Sequence, residues 1–219
     1  MRGEAPRPDG VFFAASAGAA YGGSDAPPFT ETTAPAPLGA YGVAKLRAEA
    51  EISRLAPLVP VLVGRIANLY GPGQDLTKNQ GLVSQLCLSH LRQQPIGVYV
   101  SMDTLRDYLY VDDCARLVLD AMDRLLASSS VDAPVVKILA SNTAVSIAHV
   151  IGECGRVLGR RIQLRMASSS LAGQQARDLR LRSVVWPDLD RRQLTPLSHG
   201  IHATVEHLRR SLMATHITP

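Results

Sequence analysis

The chain has 219 residues, 46% of them hydrophobic and 19% charged, which is the balance of a soluble globular protein with room for one good domain or two small ones. Disorder, collagen and coiled coil are excluded, and the longest apolar stretch, 11–20, has ten residues, far short of the roughly 18 of a membrane span. The net charge of +4 is uneven: residues 1–75 carry 6 basic and 7 acidic side chains, residues 76–219 carry 17 and 12, and Arg156 to Arg192 holds 9 Arg against 3 Asp.

The first segment imitates a secretory leader, with Arg2 and Arg7 ahead of Val-Phe-Phe-Ala-Ala-Ser-Ala-Gly-Ala-Ala. Glu4, Asp9, two prolines and Ser16 speak against that, so 11–15 reads as a buried strand of a cytoplasmic protein. A Gly-, Pro- and Thr-rich loop over 22–37 follows. Then comes a helix over 40–55, stopped by Pro57, whose small stripe of Ala40, Val43, Ala44 and Ala48 suits close packing against another helix. The near-continuous apolar run 60–66 reads as a strand buried on both faces, broken by the turn Tyr70-Gly-Pro-Gly73. A helix over 80–92 and a short strand over 96–100 come next. The spacing then predicts a helix over 112–126 with Asp112 near its N-cap, a flexible link over 128–132 and a strand over 135–139. A helix over 146–158, stopped by Gly159, and a last helix over 200–212 complete the chain. Short apolar runs alternating with amphipathic stretches indicate an α/β fold with parallel strands.

Tyr41-Gly-Val-Ala-Lys45 carries the strongest chemical signal. On a helix, residues i and i+4 share a face, so phenol and ammonium reach one ligand. A free tyrosine, with a pKa of about 10, is a poor base at neutral pH, and a nearby ammonium favours its phenolate. Tyr and Lys four apart are common on helices, so the context has to decide. Ser16 ends the strand 25 residues before Tyr41, and Tyr21-Gly-Gly23 lies between. The next strand ends in Arg65-Ile-Ala-Asn68-Leu-Tyr70-Gly71-Pro72. Arg106-Asp-Tyr-Leu-Tyr-Val-Asp-Asp113 precedes a helix. Carboxyl ends of strands are where open α/β sheets bind ligands.

These four motifs, in this order, resemble the extended short-chain dehydrogenase/reductase family, in its NAD-dependent epimerase/dehydratase branch that includes UDP-galactose 4-epimerase. The similarity spans about residues 11–160. It implies the C-terminal part of a Rossmann-like parallel sheet (residues 1–75 and 104–142) with a smaller α/β substrate-binding lobe (76–103 and 143–219). It implies Tyr41 as catalytic acid/base, Lys45 as its partner and a contact to the nicotinamide ribose, and Ser16 as the hydroxyl orienting the reacting oxygen. Ala67 would lie against the nicotinamide, Asn68 would hold the substrate phosphate and Arg106 would pair with a diphosphate. The implied cofactor is NAD, with NADP left open; the implied partner is a nucleotide sugar, with a homodimer in the full-length form. The sequence departs from the pattern in three places. The loop from Ser16 to Tyr21 is one residue longer, the usual pair of hydroxyls is reduced to Ala15-Ser16-Ala17, and the Gly-x-x-Gly-x-x-Gly turn that cradles a pyrophosphate is missing. By the resemblance the chain begins near the family's fifth strand, with Met1 an internal or misassigned start. Alone it is expected to self-associate, bind NAD weakly and show no measurable turnover.

Other readings compete. Ala14-Ala-Ser16-Ala-Gly18 approximates a hydrolase nucleophile elbow, which requires a helix right after the turn, where a loop is expected. His199, His202 and His207 share a helix, but no HExxH motif accompanies them and no metal site is expected. Asp112 and Asp113 could be paired carboxylates, though a helix cap explains Asp112 more simply, and Asp107 and Asp113 could pair with nearby arginines. Cys87, Cys114 and Cys154 are too few and too scattered for a disulfide scaffold. The basic C-terminal half suits phosphates better than nucleic acid, since no nucleic-acid motif accompanies it. A non-catalytic remnant, a pseudoenzyme serving as a subunit or interaction module, is the alternative of a different class.

Overall fold

In the computed structural model, which describes residues 8–77, 80–128, 132–166 and 176–215, three strands form a parallel sheet in the order β1-β2-β6. β1 is Val11–Ser16, β2 Val61–Ile66 and β6 Val135–Leu139. Helices cover both faces. Val61 and Val63 of β2 pack with Ala15, Ala56 and Ile52 beneath α2 (Ala40–Ser53), whereas Leu62 faces Ala121 and Leu125 of α4 (Val111–Leu126). Such double coverage is why β2 reads as an unbroken apolar run. β1 pairs only with β2 among the described residues, in register Ala15↔Arg65 and Ser16↔Ile66.

At Ala67 the chain leaves this sheet for a second one. β3 (Asn68–Tyr70) lies parallel to β5 (Leu105–Tyr110), which also pairs with β7 (Ala144–Ser146) and β9 (Asp178–Leu179). β4 (Ile96–Val98) pairs with β8 (Leu164–Met166). A second core gathers Tyr70 with α3 (Leu82–Arg92), α5 (Ile147–Val157) and α6 (Leu197–Thr215), through Val83, Leu86, Val150, Ile201 and Val205. Here Cys87 and Cys154 meet, and the hydrogen bond between them, with burial, pushes the Cys154 thiol up. Among the described residues no helix is long and apolar enough to cross a membrane.

The expected α/β class and the principal helices hold, with several corrections. A short helix, α1 (Ala17–Tyr21), follows β1 directly where a loop is expected, because Ser16 caps it by accepting the Ala19 N–H at 3.3 Å. Asp112 does not cap α4. β5 runs straight into that helix, extended Tyr110 is the cap without a side-chain bond, and exposed Asp112 sits in the first turn. Among the described residues Asp107 pairs with no arginine; its carboxylate accepts the backbone N–H groups of Ser141 and Thr143 at 2.8 and 3.1 Å. Asp113 does meet an arginine, Arg116 at 3.5 Å, but its closer bond is to the N–H of Thr195 at 2.7 Å. Of the link expected over 128–132, residues 129–131 lie outside the described residues.

Candidate active site

A cleft of about 950 Å³ opens where the carboxyl ends of β1 and β2 meet the second sheet. Ser16, Tyr41, Lys45, Ala67, Asn68 and Arg106 all line it. They come from four elements and the crossing at Ala67, and separations of up to 90 residues in sequence close into one cavity.

Tyr41 stands in the first turn of α2 with 66% of its surface exposed. The Lys45 ammonium is 5.7 Å from its ring centroid, one helical turn on. α2 lies close against α1 because Gly42 has no side chain: a Cβ there would come within 2.7 Å of both the Ala19 carbonyl oxygen and Pro37. That contact sets the distance between Tyr41 and the Ser16 segment. Ser16 uses its oxygen as acceptor for the α1 cap, which leaves its hydroxyl proton to donate elsewhere. Its backbone is ordinary extended chain, φ −120° and ψ 121°. The helix demanded by a nucleophile elbow is therefore present, but the strained turn that projects the nucleophile is not.

β5 supplies the opposite wall. Arg106 and Tyr108 point into the cleft, while the intervening Asp107 points away to the 141–143 turn. Arg106 is only 8% exposed, donates to its neighbour's carbonyl, Leu105 O, at 2.8 Å, and makes no ion pair among the described residues. Burial pulls its pKa below the ordinary value, partly offset by Tyr108 and Asp178. A charged fork held this way has donors to spare for an anionic ligand. Burial pushes the Tyr108 phenol up to about 12, against the lowering influence of Arg106. Asn68 is tethered by its amide nitrogen to the Asp107 carbonyl oxygen at 3.0 Å, with a second amide proton left over. The N-terminus of α3, capped by Gly81 with no side-chain bond, borders the same space. Its backbone N–H groups favour negative charge.

Sequence reading missed part of this lining. Tyr108, two residues after Arg106 and so on the same strand face, would have been found had β5 been recognised. Gln74, Gln80, Gln85 and Tyr99 offered no local signal. Beneath α2, Arg65 of β2 forms a buried pair with Glu49 and hydrogen-bonds the Tyr21 hydroxyl. Burial works against the Arg65 charge, but the bonds to Glu49 and Tyr21 outweigh it and its pKa is raised. Among the described residues, His199, His202 and His207 belong to no group of three or more His, Cys, Asp or Glu side chains that could hold a metal ion.

The sequence model of the NAD dependent epimerase/dehydratase family matches residues 4–132. The dTDP-4-dehydro-6-deoxyglucose reductase of Escherichia coli is 30% identical over 115 residues, 52% of this chain and 36% of that protein. The dTDP-L-rhamnose 4-epimerase of Burkholderia thailandensis is 31% identical over 101 residues, 45% of this chain and 28% of that protein. Among solved structures, MoeE5 in complex with UDP-glucuronic acid and NAD is similar with a TM-score of 0.77 at 27% identity, over 93% of this chain and 66% of that one. The parallel sheet and its helices thus match a Rossmann-like epimerase fold. The chain spans about a third of the length of these two curated relatives.

Proposed function

The chain belongs to the NAD dependent epimerase/dehydratase family, and from that membership we propose that it acts on a nucleoside-diphosphate sugar by transient hydride transfer, with Tyr41 as acid/base. The observation that carries this reading is the convergence of Ser16, Tyr41, Lys45, Asn68 and Arg106 on one cleft. The relatives' names, dTDP sugars in two cases and a UDP sugar in the third, support the substrate class.

The part of the cleft lined by Ala14 and Ala67 suits the nicotinamide end of NAD, or of NADP. Their small side chains leave room for a flat ring, and Lys45, which lines the same cleft, is the donor to the adjoining ribose. When bound, the cofactor supplies the hydride acceptor and donor. Tyr41 takes the proton from the sugar hydroxyl as it is oxidised and gives one back on reduction. Lys45 stabilises the negative charge that develops on the phenol oxygen. The Ser16 hydroxyl proton orients the same sugar oxygen. Arg106, the spare Asn68 amide proton and the α3 N-terminus suit a diphosphate, which is why a nucleotide sugar is favoured over a free one.

In this reading residues 1–75 and 104–142 belong to the Rossmann-like domain, and 76–103 and 143–219 form the substrate lobe. The partner is a second copy: Ala40, Val43 and Ala44 of α2 share one exposed face suited to close helix packing.

The test is turnover of UDP-glucose with NAD, by the chain and by its fusion to the Gly-rich half of a relative. Tyr41→Phe keeps the ring and removes the proton carrier, so turnover falls by roughly 10² or more in whichever form is active. Unchanged turnover in Tyr41→Phe, or no turnover in either form, overturns the reading.

A further inference from the structure

β2 is buried from Val61 to Arg65 and apolar but for that one side chain, Arg65, which is 6% exposed. Its guanidinium donates Nη2 and Nε to the two carboxylate oxygens of Glu49 on α2, at 2.5 and 3.2 Å. Nη1 donates to the hydroxyl of Tyr21, the last residue of α1, at 2.7 Å. In the ladder Arg65 lies beside Ala15, the neighbour of Ser16. One side chain therefore ties the helix that Ser16 caps and the helix that carries Tyr41 and Lys45 to β2, the strand whose backbone pairs with the one ending in Ser16.

Two charges taken out of water are expensive, and an apolar pair of similar volume often holds elements together at least as well. What the apolar pair lacks is direction. A two-pronged contact between guanidinium and carboxylate fixes the rotation of α2 about its own axis. Tyr41, Lys45 and Glu49 recur every fourth residue, each step turning about 40° round the helix, so the three rotate as one body. We propose that Arg65 is a positioning residue, which through Glu49 and Tyr21 sets Tyr41 and Lys45 in register with Ser16. This rests on the reading of those three residues as the catalytic group.

The test uses the full chain with Arg65→Met and Glu49→Leu combined, which keeps the packing and discards the direction. The urea midpoint stays near that of the parent, the gain from the apolar pair offset by the buried Tyr21 hydroxyl that loses its donor. NAD affinity, read by ligand-observed NMR, falls by about tenfold, and Lys45→Ala, itself costing about tenfold in the parent, then costs nothing more. Arg65→Lys keeps the charge but not the fork, shows the same loss of affinity, and carries the test alone if the double variant does not fold. A stable double variant, or an Arg65→Lys variant, that binds NAD like the parent overturns the positioning role. So does a full tenfold cost of Lys45→Ala in the double-variant background. Lys45→Ala without effect in the parent overturns the catalytic reading beneath the proposal, which distinguishes the two failures.

Discussion

Gly42→Ala sets two physical effects against each other at the base of the candidate site. Helix propensity alone favours alanine by about 1 kcal/mol in a helix interior. In the structure, however, the new Cβ would lie 2.7 Å from the Ala19 carbonyl oxygen and 2.7 Å from Pro37 Cβ. That is about 1 Å inside ordinary contact, and both neighbours are held by backbone or ring. Overpacking of this kind costs about 1–3 kcal/mol, so sterics win and the net loss reaches about 2 kcal/mol. With a urea slope of about 2 kcal/mol per molar, the unfolding midpoint drops by up to about 1 M. Gly152→Ala is the matched control: it lies inside α5 with nothing within 4 Å of its added Cβ. Freed of the clash, it gains about 0.5–1 kcal/mol. If relief of the Gly42→Ala clash tilts α2, Tyr41 moves with it, and turnover falls by about 10² for an ångström of displacement. Urea titrations in which both variants shift the same way would refute the argument that α1 and α2 meet at Gly42.

Arg106→Ala removes a charge-assisted donor from the cleft and weakens nucleotide-sugar binding by about 1.5–3 kcal/mol in calorimetry, with a free sugar unaffected; equal losses for both ligands contradict the diphosphate role. Lys137, fully buried in β6, donates to Ser183, to the Val185 carbonyl and to Asp190, so Lys137→Met strands a buried carboxylate and costs about 3–5 kcal/mol in urea unfolding. A loss below about 1 kcal/mol would mean that the pair is solvated. Burial pushes the Asp107 carboxyl up to about 6 despite the N–H groups of Ser141 and Thr143 that lower it. The folded state therefore keeps a proton that the unfolded chain, titrating near about 4, has lost; the contribution is full below about pH 4 and is lost as pH rises through 6. The difference in urea midpoint between parent and Asp107→Asn follows that window, and a flat difference from pH 4 to 6 contradicts it. Ala44→Glu places a charge on the exposed face of α2, and sedimentation then shows a monomer; an unchanged oligomer rules out that face.

The sequence exposed elements whose signal is local. β2 was legible because burial on both faces makes Val61-Leu-Val63 a continuous apolar run, and α4 because its buried Cys114, Leu117, Ala121 and Leu125 keep helical spacing. The six residues singled out by motif all line one cleft, since each sits at a strand end or on the first turns of a helix. What stayed hidden depends on distant partners. β5 escaped because Arg106 and Asp107 make it look like a polar loop, and the backbone groups that satisfy Asp107 arrive 34 and 36 residues later. Glu49 and Arg65, 16 residues apart, carry no local sign that they pair, and only the fold buries them against each other. α1 is a single turn of small residues, too short for any periodicity to show, and only the cap at Ser16 defines it.

Oxidation of a nucleotide sugar in this cleft, with Tyr41 as base, can be followed by rapid mixing. The chain, or its fusion to the Gly-rich half of a relative, is mixed with NAD and UDP-glucose while the near-ultraviolet absorbance of reduced nicotinamide is followed. A transient rise is expected in the parent, slowed by deuterium at the oxidised sugar carbon and absent from Tyr41→Phe. An equal rise in parent and Tyr41→Phe, or none in the parent in either form, would contradict it.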